Sequence, residues 1–439
     1  MVRNLSSLSW MRNAALAAFC CASVAVSAQA PANSPAWPEP LTLEFALQQI
    51  DAQRPEILLA QAEVDAALAA VDEERVRDAT QVRLEARAGW LDPVPSATDQ
   101  SSDDHRLALI ARKRLYDFGY SAAREQSADA AVQAEQLRYR VALAQQRIRA
   151  IDRFYGVLIA DQRFARDNEA MAIAYVTFDK VRERHALKEI SDVDLMDAEA
   201  TYEQALLVRN ASDQARRLSR QRLANVLGRP DVLPSEVLAP KFKAAVTPEE
   251  ANVWVERALQ QSPEIQAAQA QYAAAQQALT AARNSGGPTL EAEGQVAAYS
   301  RKIGSREPWQ AALIFNLPLQ DGGAEEANVA KARAQQLRTQ AELEAVRLEV
   351  REQVLALWLE LQRLRGQLRA NQQYSDFREL YLDRSRAEYE LEMRTDLGDA
   401  MVQASDARLR HLQYQRDALI AQAKLELLLG EPLTTPAGG

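Results

Sequence analysis

Two pairs of carboxylates stand three residues apart, Asp194 with Asp197 and Asp396 with Asp399, a spacing that puts both members of a pair on one face of a helix. Such pairs do one of two things. They cap a helix, since Asp is favoured at helix N-termini, or, repeated in an assembly, they gather negative potential that attracts cations. No other constellation carries chemistry. His105, His185 and His411 are too far apart in sequence to form a local ligand cluster, and no serine-nucleophile motif, glycine-rich phosphate loop or paired-cysteine motif is present. Gly286-Gly287-Pro288 reads as a turn between a helix and a strand. The sequence therefore predicts a protein that is not an enzyme and holds neither cofactor nor metal.

The elements that must carry these residues start with a signal peptide. Two arginines in a polar stretch precede the apolar run Ala14 to Val26, too short to span a membrane as a helix, and cleavage after Ala28 removes Cys20 and Cys21. The mature chain then has no thiol for a disulfide or a metal. With 6% aromatic residues and an abundance of Ala, Gln, Glu, Leu and Arg, the composition fits long helices packed side by side better than a globular core. A formal charge of -9 argues against nucleic acid as a partner. No later stretch reads as a transmembrane helix, so any insertion into a membrane must use strands.

The chain repeats itself. Arg54-Pro55-Glu56-Ile57 returns as Ser262-Pro263-Glu264-Ile265, Leu115-Tyr116-Asp117-Phe118-Gly119 as Leu319-Gln320-Asp321-Gly322-Gly323, and Leu227-Gly228-Arg229-Pro230 as Leu429-Gly430-Glu431-Pro432, each about two hundred residues on. The domain plan that follows is a signal peptide at 1–28, an extended lead-in and short helix at 29–53, a first repeat at 54–230, a linker at 231–250, a second repeat at 251–432 and a tail at 433–439.

Inside each repeat the period changes twice. A helix from Pro55 to about Asp78, or Pro263 to about Asn284, gives way to alternation: Val82, Leu84, Ala86, Ala88 and Trp90 against Arg83, Glu85 and Arg87, then a returning strand at Arg106 to Tyr116. The second repeat does the same with Leu290, Ala292, Gly294, Val296 and Ala298 against Glu291, Glu293 and Gln295, and with a strand from Trp309 to Leu319. Strands of about ten residues, apolar on one face and polar on the other, suit a membrane barrel with a wet lumen. The cluster Arg112-Lys113-Arg114 reads as a strand leaving the membrane on the periplasmic side. Gly119, Gly322 and Gly323 mark the strand-to-helix turns, after which Leu137, Val141, Ala144, Ile148, Ile151, Tyr155 and Leu158 set a heptad seam along a very long helix.

With the Pro-Glu-Ile start, the Leu-Tyr-Asp-Phe-Gly junction, the Ser191-Asp192-Val193-Asp194-Leu195-Met196-Asp197-Ala198 segment and the Leu-Gly-x-Pro end, all in doubled order, the chain resembles the outer-membrane efflux protein (TolC) family. The resemblance implies an α+β membrane protein. Three chains form a homotrimer, each giving four strands to a twelve-stranded transmembrane β-barrel in outer-membrane lipid, continued by a long periplasmic α-helical barrel. It implies a passive exit duct of a tripartite efflux pump or type I secretion system, working with a periplasmic adaptor (membrane fusion) protein and an inner-membrane transporter. Edge closure points to the same assembly, because four strands cannot close and open edges are not tolerated in lipid. Lys188, Ser191, Glu392 and Thr395 become the tip residues for adaptor contact, and Asp194, Asp197, Asp396 and Asp399 a periplasmic gate. Lys188 and Glu392 stand where family tips usually have Gly, and His185 where Tyr is common, which puts the usual backbone contact with an adaptor in question. The alternative from periodicity alone is a soluble periplasmic coiled-coil adaptor or structural protein, which explains the heptads but not the amphipathic hairpins.

Overall fold

The computed structural model describes residues 37–50, 54–230, 232, 234–240, 250–301, 306–391 and 397–432. The signal peptide, the C-terminal tail, most of the linker and the candidate residues Glu392, Thr395 and Asp396 lie outside them. The unit that begins at Pro38 runs through one pattern twice. First come α1 (Leu43–Gln48), α2 (Pro55–Arg77), β1 (Gln81–Arg87), β2 (Arg106–Tyr116), α3 (Tyr120–Ala186) and α4 (Asp192–Leu227). Then α5 (Ala251–Gln261), α6 (Pro263–Asn284), β3 (Thr289–Tyr299), β4 (Trp309–Asn316), α7 (Ala324–Glu390) and α8 (Leu397–Leu428) follow in the same order. Pro55 and Pro263 each occupy a first helical turn, where a missing N–H costs nothing.

Both α3 and α7 run for 67 residues, or about 100 Å at the α-helical rise. Neither has an interior proline, and each buries a narrow seam: Leu137, Ile148, Ile151, Tyr155 and Leu158 in α3, and Leu343, Val350, Val354 and Leu361 in α7. Every shorter helix lies against one of these two long ones. The pair α2 and α4 packs on one side of α3, α6 and α8 pack on its other side, and α7 closes the layer beyond them. Side-chain pairs stitch neighbours together, with Arg75 to Glu125 at 2.7 Å, Arg220 to Asp161 at 2.6 Å and Arg166 to Asp406 at 3.1 Å.

In the first and third positions of the layer two helices meet end to end. The last turn of α4 closes on Gly228 at φ 80°, and Arg54, just ahead of α2, donates to the Asn225 carbonyl at 3.2 Å. In the second repeat Gly430, at φ 69°, faces the carbonyl of Gln261, the last residue of α5, just ahead of α6. Each returning helix and the next short one thus form a jointed rod. The layer reads α4/α2, α3, α8/α6, α7, the same order as the strands those helices run into, since the sheet is a meander β1-β2-β3-β4 with antiparallel neighbours.

Two strand limits differ from the periodicity. β1 ends at Arg87 rather than at Trp90, because at Gly89 the chain turns to bond the loop: Asp104 donates to the Gly89 carbonyl at 2.8 Å and Trp90 keeps only a lone bridge to Asp103. β4 ends at Asn316 rather than at Leu319, since Pro318 has no N–H for a ladder. β2 runs from Arg106 to Tyr116 as the periodicity predicts; within it Arg112, Lys113 and Arg114 pair with Glu293, Ala292 and Glu291, and a bulge beyond Arg114 carries Tyr116 to the opposite face, beside Leu290.

Candidate functional site

The sheet has two unlike faces. Register puts Val82, Leu84, Leu107, Leu109, Val296, Trp309, Leu313 and Phe315 on one side, and all of them are exposed. A contiguous apolar sheet surface of this kind marks an interaction with something apolar. Lys113 is the one charge on that side, at the level of Ala292 and Leu313. Across the sheet stand Arg83, Glu85 and Arg87 of β1, Arg106, Arg112 and Arg114 of β2, and Glu291, Glu293 and Gln295 of β3. They form cross-strand pairs at three heights. Arg106 reaches Glu85 at 3.2 Å and Gln295 at 2.7 Å, Arg112 reaches Glu293 at 3.0 Å, and Arg114 lies 3.9 Å from Glu291. Among the described residues the outer edges of β1 and β4 have no partner strand. Sequence reasoning placed Arg83, Glu85, Arg87, Glu291, Glu293 and Gln295 on the polar face but missed Arg106, Arg112 and Arg114, whose two-residue spacing through Ala108 and Ile110 was the available signal.

At the strand-to-helix junctions an aspartate precedes two left-handed residues: Asp117 before Phe118 (φ 54°) and Gly119 (φ 90°), and Asp321 before Gly322 (φ 70°) and Gly323 (φ 89°). The carboxylates take up the bare amides of the next helix. Asp117 accepts from the Ser121 amide at 2.9 Å, and Asp321 from the amides of Glu325 at 2.6 Å and Gly323 at 2.9 Å. Those bonds, that from Glu325 foremost, hold the Asp321 carboxyl below the usual carboxylate range. The turn is the same in both copies, although one of its left-handed positions carries a phenylalanine in the first.

The tip between α3 and α4 is closed by a reciprocal cap. Ser191 accepts from the Asp194 amide at 3.3 Å, and the Asp194 carboxylate takes the Ser191 hydroxyl at 2.7 Å and its amide at 3.2 Å. These Ser191 bonds depress the Asp194 pKa, so the cap is at full strength above the ordinary aspartate range and is lost on acidification through the depressed value. Asp197 is exposed one turn further on, and Asp399 is exposed in the first turn of α8, where it accepts from Gln403. The two acidic groups sit on different helical hairpins, and among the described residues no hydrogen bond or ion pair joins them. His185 meets Asp192 at 2.7 Å.

Lys188, exposed, has φ 63°. It therefore adopts the left-handed backbone that a family glycine would take at a cost of about 1–2 kcal/mol. Lys188→Gly should accordingly raise the thermal midpoint in detergent, by an amount equivalent to about 1 kcal/mol. A lower midpoint would mean that the lysine side chain contributes more than its backbone costs.

The outer membrane efflux protein family model matches residues 254–431, the second repeat. Protein CyaE of Bordetella pertussis is 28% identical over 269 residues, a match covering 59% of this chain and 56% of that protein, so the chain aligns with just over half the length of this curated relative. By fold the resemblance runs through both repeats. A membrane protein from Pseudomonas aeruginosa superposes with a TM-score of 0.72 at 18% identity over 89% of this chain and 90% of its own. The Campylobacter jejuni CmeC outer membrane channel gives 0.71 at 14% identity, covering 88% and 85%. The open state of the Neisseria gonorrhoeae MtrE outer membrane channel gives 0.69 at 18%, covering 89% of each. The second repeat thus matches the outer membrane efflux protein family model in sequence, and the chain shares its fold with these solved outer membrane channels along nearly its whole described length.

Proposed function

We propose that three copies of this chain close into a twelve-stranded barrel in the outer membrane, continued in the periplasm by a barrel of helices, and that this assembly is a passive exit duct. The observation that carries the proposal is the four-stranded sheet with one exposed apolar face, one charged face and two unpaired edges. Unpaired edges are not stable in lipid, and an even meander lets β4 of one copy pair antiparallel with β1 of the next. The outer helices support the same ring. Leu337, Leu348 and Leu359 stand eleven residues apart on α7, as do Met196, Leu207 and Leu218 on α4, and all are exposed; eleven residues are close to three turns, so each set forms one stripe. Burying the α7 stripe against the α4/α2 rod of the next copy would seal the helical layer in step with the strands.

No helix among the described residues is long and apolar enough to cross a membrane, so energy has to come from an inner-membrane transporter, reached through a periplasmic adaptor. Both an efflux pump and a type I secretion system fit. In this reading Lys188 and Ser191, with Glu392 and Thr395, contact the adaptor, and Asp194, Asp197, Asp396 and Asp399 ring the periplasmic mouth and favour cations there. Asp194 would serve both roles, its carboxylate capping α4 while adding charge to the ring.

Single cysteines test the barrel. In outer-membrane vesicles, cysteines at Glu85, Glu293 and Gln295 should react with a small water-soluble maleimide, while those at Leu84, Ala86 and Ala292 should stay protected. Equal labelling of the two faces would rule the barrel out. Single-channel currents from the detergent-purified protein in a planar bilayer separate a duct from a periplasmic coiled-coil protein, which would conduct nothing.

A further inference from the structure

The three cross-strand pairs on the charged face leave a remainder. Five arginines, Arg83, Arg87, Arg106, Arg112 and Arg114, share that face with three glutamates, Glu85, Glu291 and Glu293. Each glutamate is taken by one arginine, at 3.2 Å, 3.0 Å and 3.9 Å. Arg83 and Arg87 are exposed, and neither has an ion-pair partner among the described residues. Arg83 lies directly across from Ile110, with Arg112 and Ala108 as its diagonal neighbours. On its open side the next strand of a closed ring would be β4, which brings Gln310, Ala312, Ile314 and Asn316 to this face and no charge at all. The surplus is thus not cancelled by closure.

Acidic groups bound it at either end. Toward the helices Arg114 has Asp78 at 3.7 Å and Asp117 at 3.8 Å, and in the loop beyond Arg87 the Asp104 carboxylate is held by Arg306. The positive zone therefore centres on Arg83 in the middle of β1 and extends to Arg87 at its end, where it comes within electrostatic reach of Asp104, in a chain whose formal charge is -9. A belt of guanidinium groups facing a water-filled, low-dielectric-walled tube raises the local concentration of anions, and planar guanidinium suits carboxylate, sulfate and phosphate oxygens.

We propose that this belt makes the barrel an anion-preferring segment of the duct, so that the cargo it favours bears carboxylate, sulfate or phosphate groups. The proposal rests on the barrel reading above. In a ring Arg83 and Arg87 of each copy, neither in an ion pair among the described residues, recur around the lumen, Arg83 at mid-strand and Arg87 at the strand end, whereas the proposed periplasmic mouth carries aspartates.

The test reads local potential in the barrel alone. Gln310→Cys places a thiol on the charged face near the belt, and Leu313→Cys places one on the opposite face. Each purified variant is treated in detergent with a sulfonate-bearing and a trimethylammonium-bearing methanethiosulfonate, with rates normalised to those of a free thiol. At 10 mM salt, where the screening length is about 30 Å, the anionic reagent should modify Gln310→Cys at least ~3-fold faster than the cationic one. The preference should vanish at 1 M salt, where screening acts within about 3 Å. Adding Arg83→Gln and Arg87→Gln, both exposed and unpaired in the native protein, should bring the ratio close to one at low salt. A ratio at or below one in the parent, or an unchanged ratio in the double variant, would overturn the belt while leaving the barrel standing. Equal reactivity of Gln310→Cys and Leu313→Cys toward both reagents would instead overturn the barrel, and the belt with it.

Discussion

Leu313→Arg is expected to prevent assembly in the outer membrane almost completely. Leu313 is 72% exposed in the single chain, in the middle of β4, between Phe315 and Ala311 on the apolar face. In water, replacing so exposed a leucine by arginine changes stability by no more than about 0.5 kcal/mol and improves solubility. In lipid the same change costs about 2–4 kcal/mol near the bilayer midplane, and the proposed trimer would carry it three times. The variant therefore separates the two environments by sign as well as size. The measurement is the yield of assembled protein in outer-membrane fractions, with Gln310→Arg on the charged face as the control that should assemble normally. Native yield from Leu313→Arg would mean that this face does not meet lipid.

The second large effect belongs to a helix joint. At Gly430 an added Cβ would sit 2.6 Å from the backbone carbonyl of Gln261, and the residue has φ 69°. Gly430→Ala thus combines the left-handed penalty of about 1–2 kcal/mol with a clash that only a shift of the backbone at the end of α5 can relieve. A loss of about 3 kcal/mol or more is expected from the two together. Its counterpart in the first repeat is milder. At Gly228, φ 80°, the added atom would overlap only the guanidinium of Arg54, a flexible side-chain end that can swing away. Gly228→Ala should cost little beyond the backbone penalty and the bond from Arg54 to Asn225. Urea titrations of the two variants in detergent give the ranking, and equal losses would mean that the joint at Gln261 yields without cost.

What the sequence made legible was whatever repeats. The alternation at Leu290, Ala292, Val296 and Ala298 lies in β3, and the seam through Ile148, Ile151, Tyr155 and Leu158 is buried along α3, because period two and period 3.6 are set by backbone geometry before any tertiary contact forms. Local exceptions were less readable. Trp90 fits the apolar alternation of β1, yet the bond from Asp104 to Gly89 pulls the chain out of the ladder first, and that partner is a loop residue with no period. The bulge after Arg114 hid the pairing of a basic triplet, since an extra residue inverts the alternation on one side of it. Phe118 in a left-handed turn shows only when the second repeat is laid over the first and Gly322 falls beneath it. At the tips, spacing alone left capping and gating open for Asp194; the contacts with Ser191 establish the cap, and its charge remains for whatever the assembled mouth requires.

The jointed rods also set a timetable. The α3–α4 hairpin and the β1–β2 and β3–β4 hairpins join segments that leave the ribosome in succession, but the α4/α2 joint brings together residues 171 apart, and beside the α8/α6 joint Arg257 of α5 meets Glu431, 174 residues on. Ends so distant in the chain meet late, because loop closure must precede the contact that rewards it. Until the second half of each repeat has been exported, the start of α2 or α6 has no helix to abut, and one flank of the long helix beside it stays bare. Newly translocated chains thus pass through a period in which apolar seams such as that of α3 lack their full cover. That interval, longer for the waist of the molecule than for its tips or its two strand hairpins, is when periplasmic chaperones and proteases have the most to recognise.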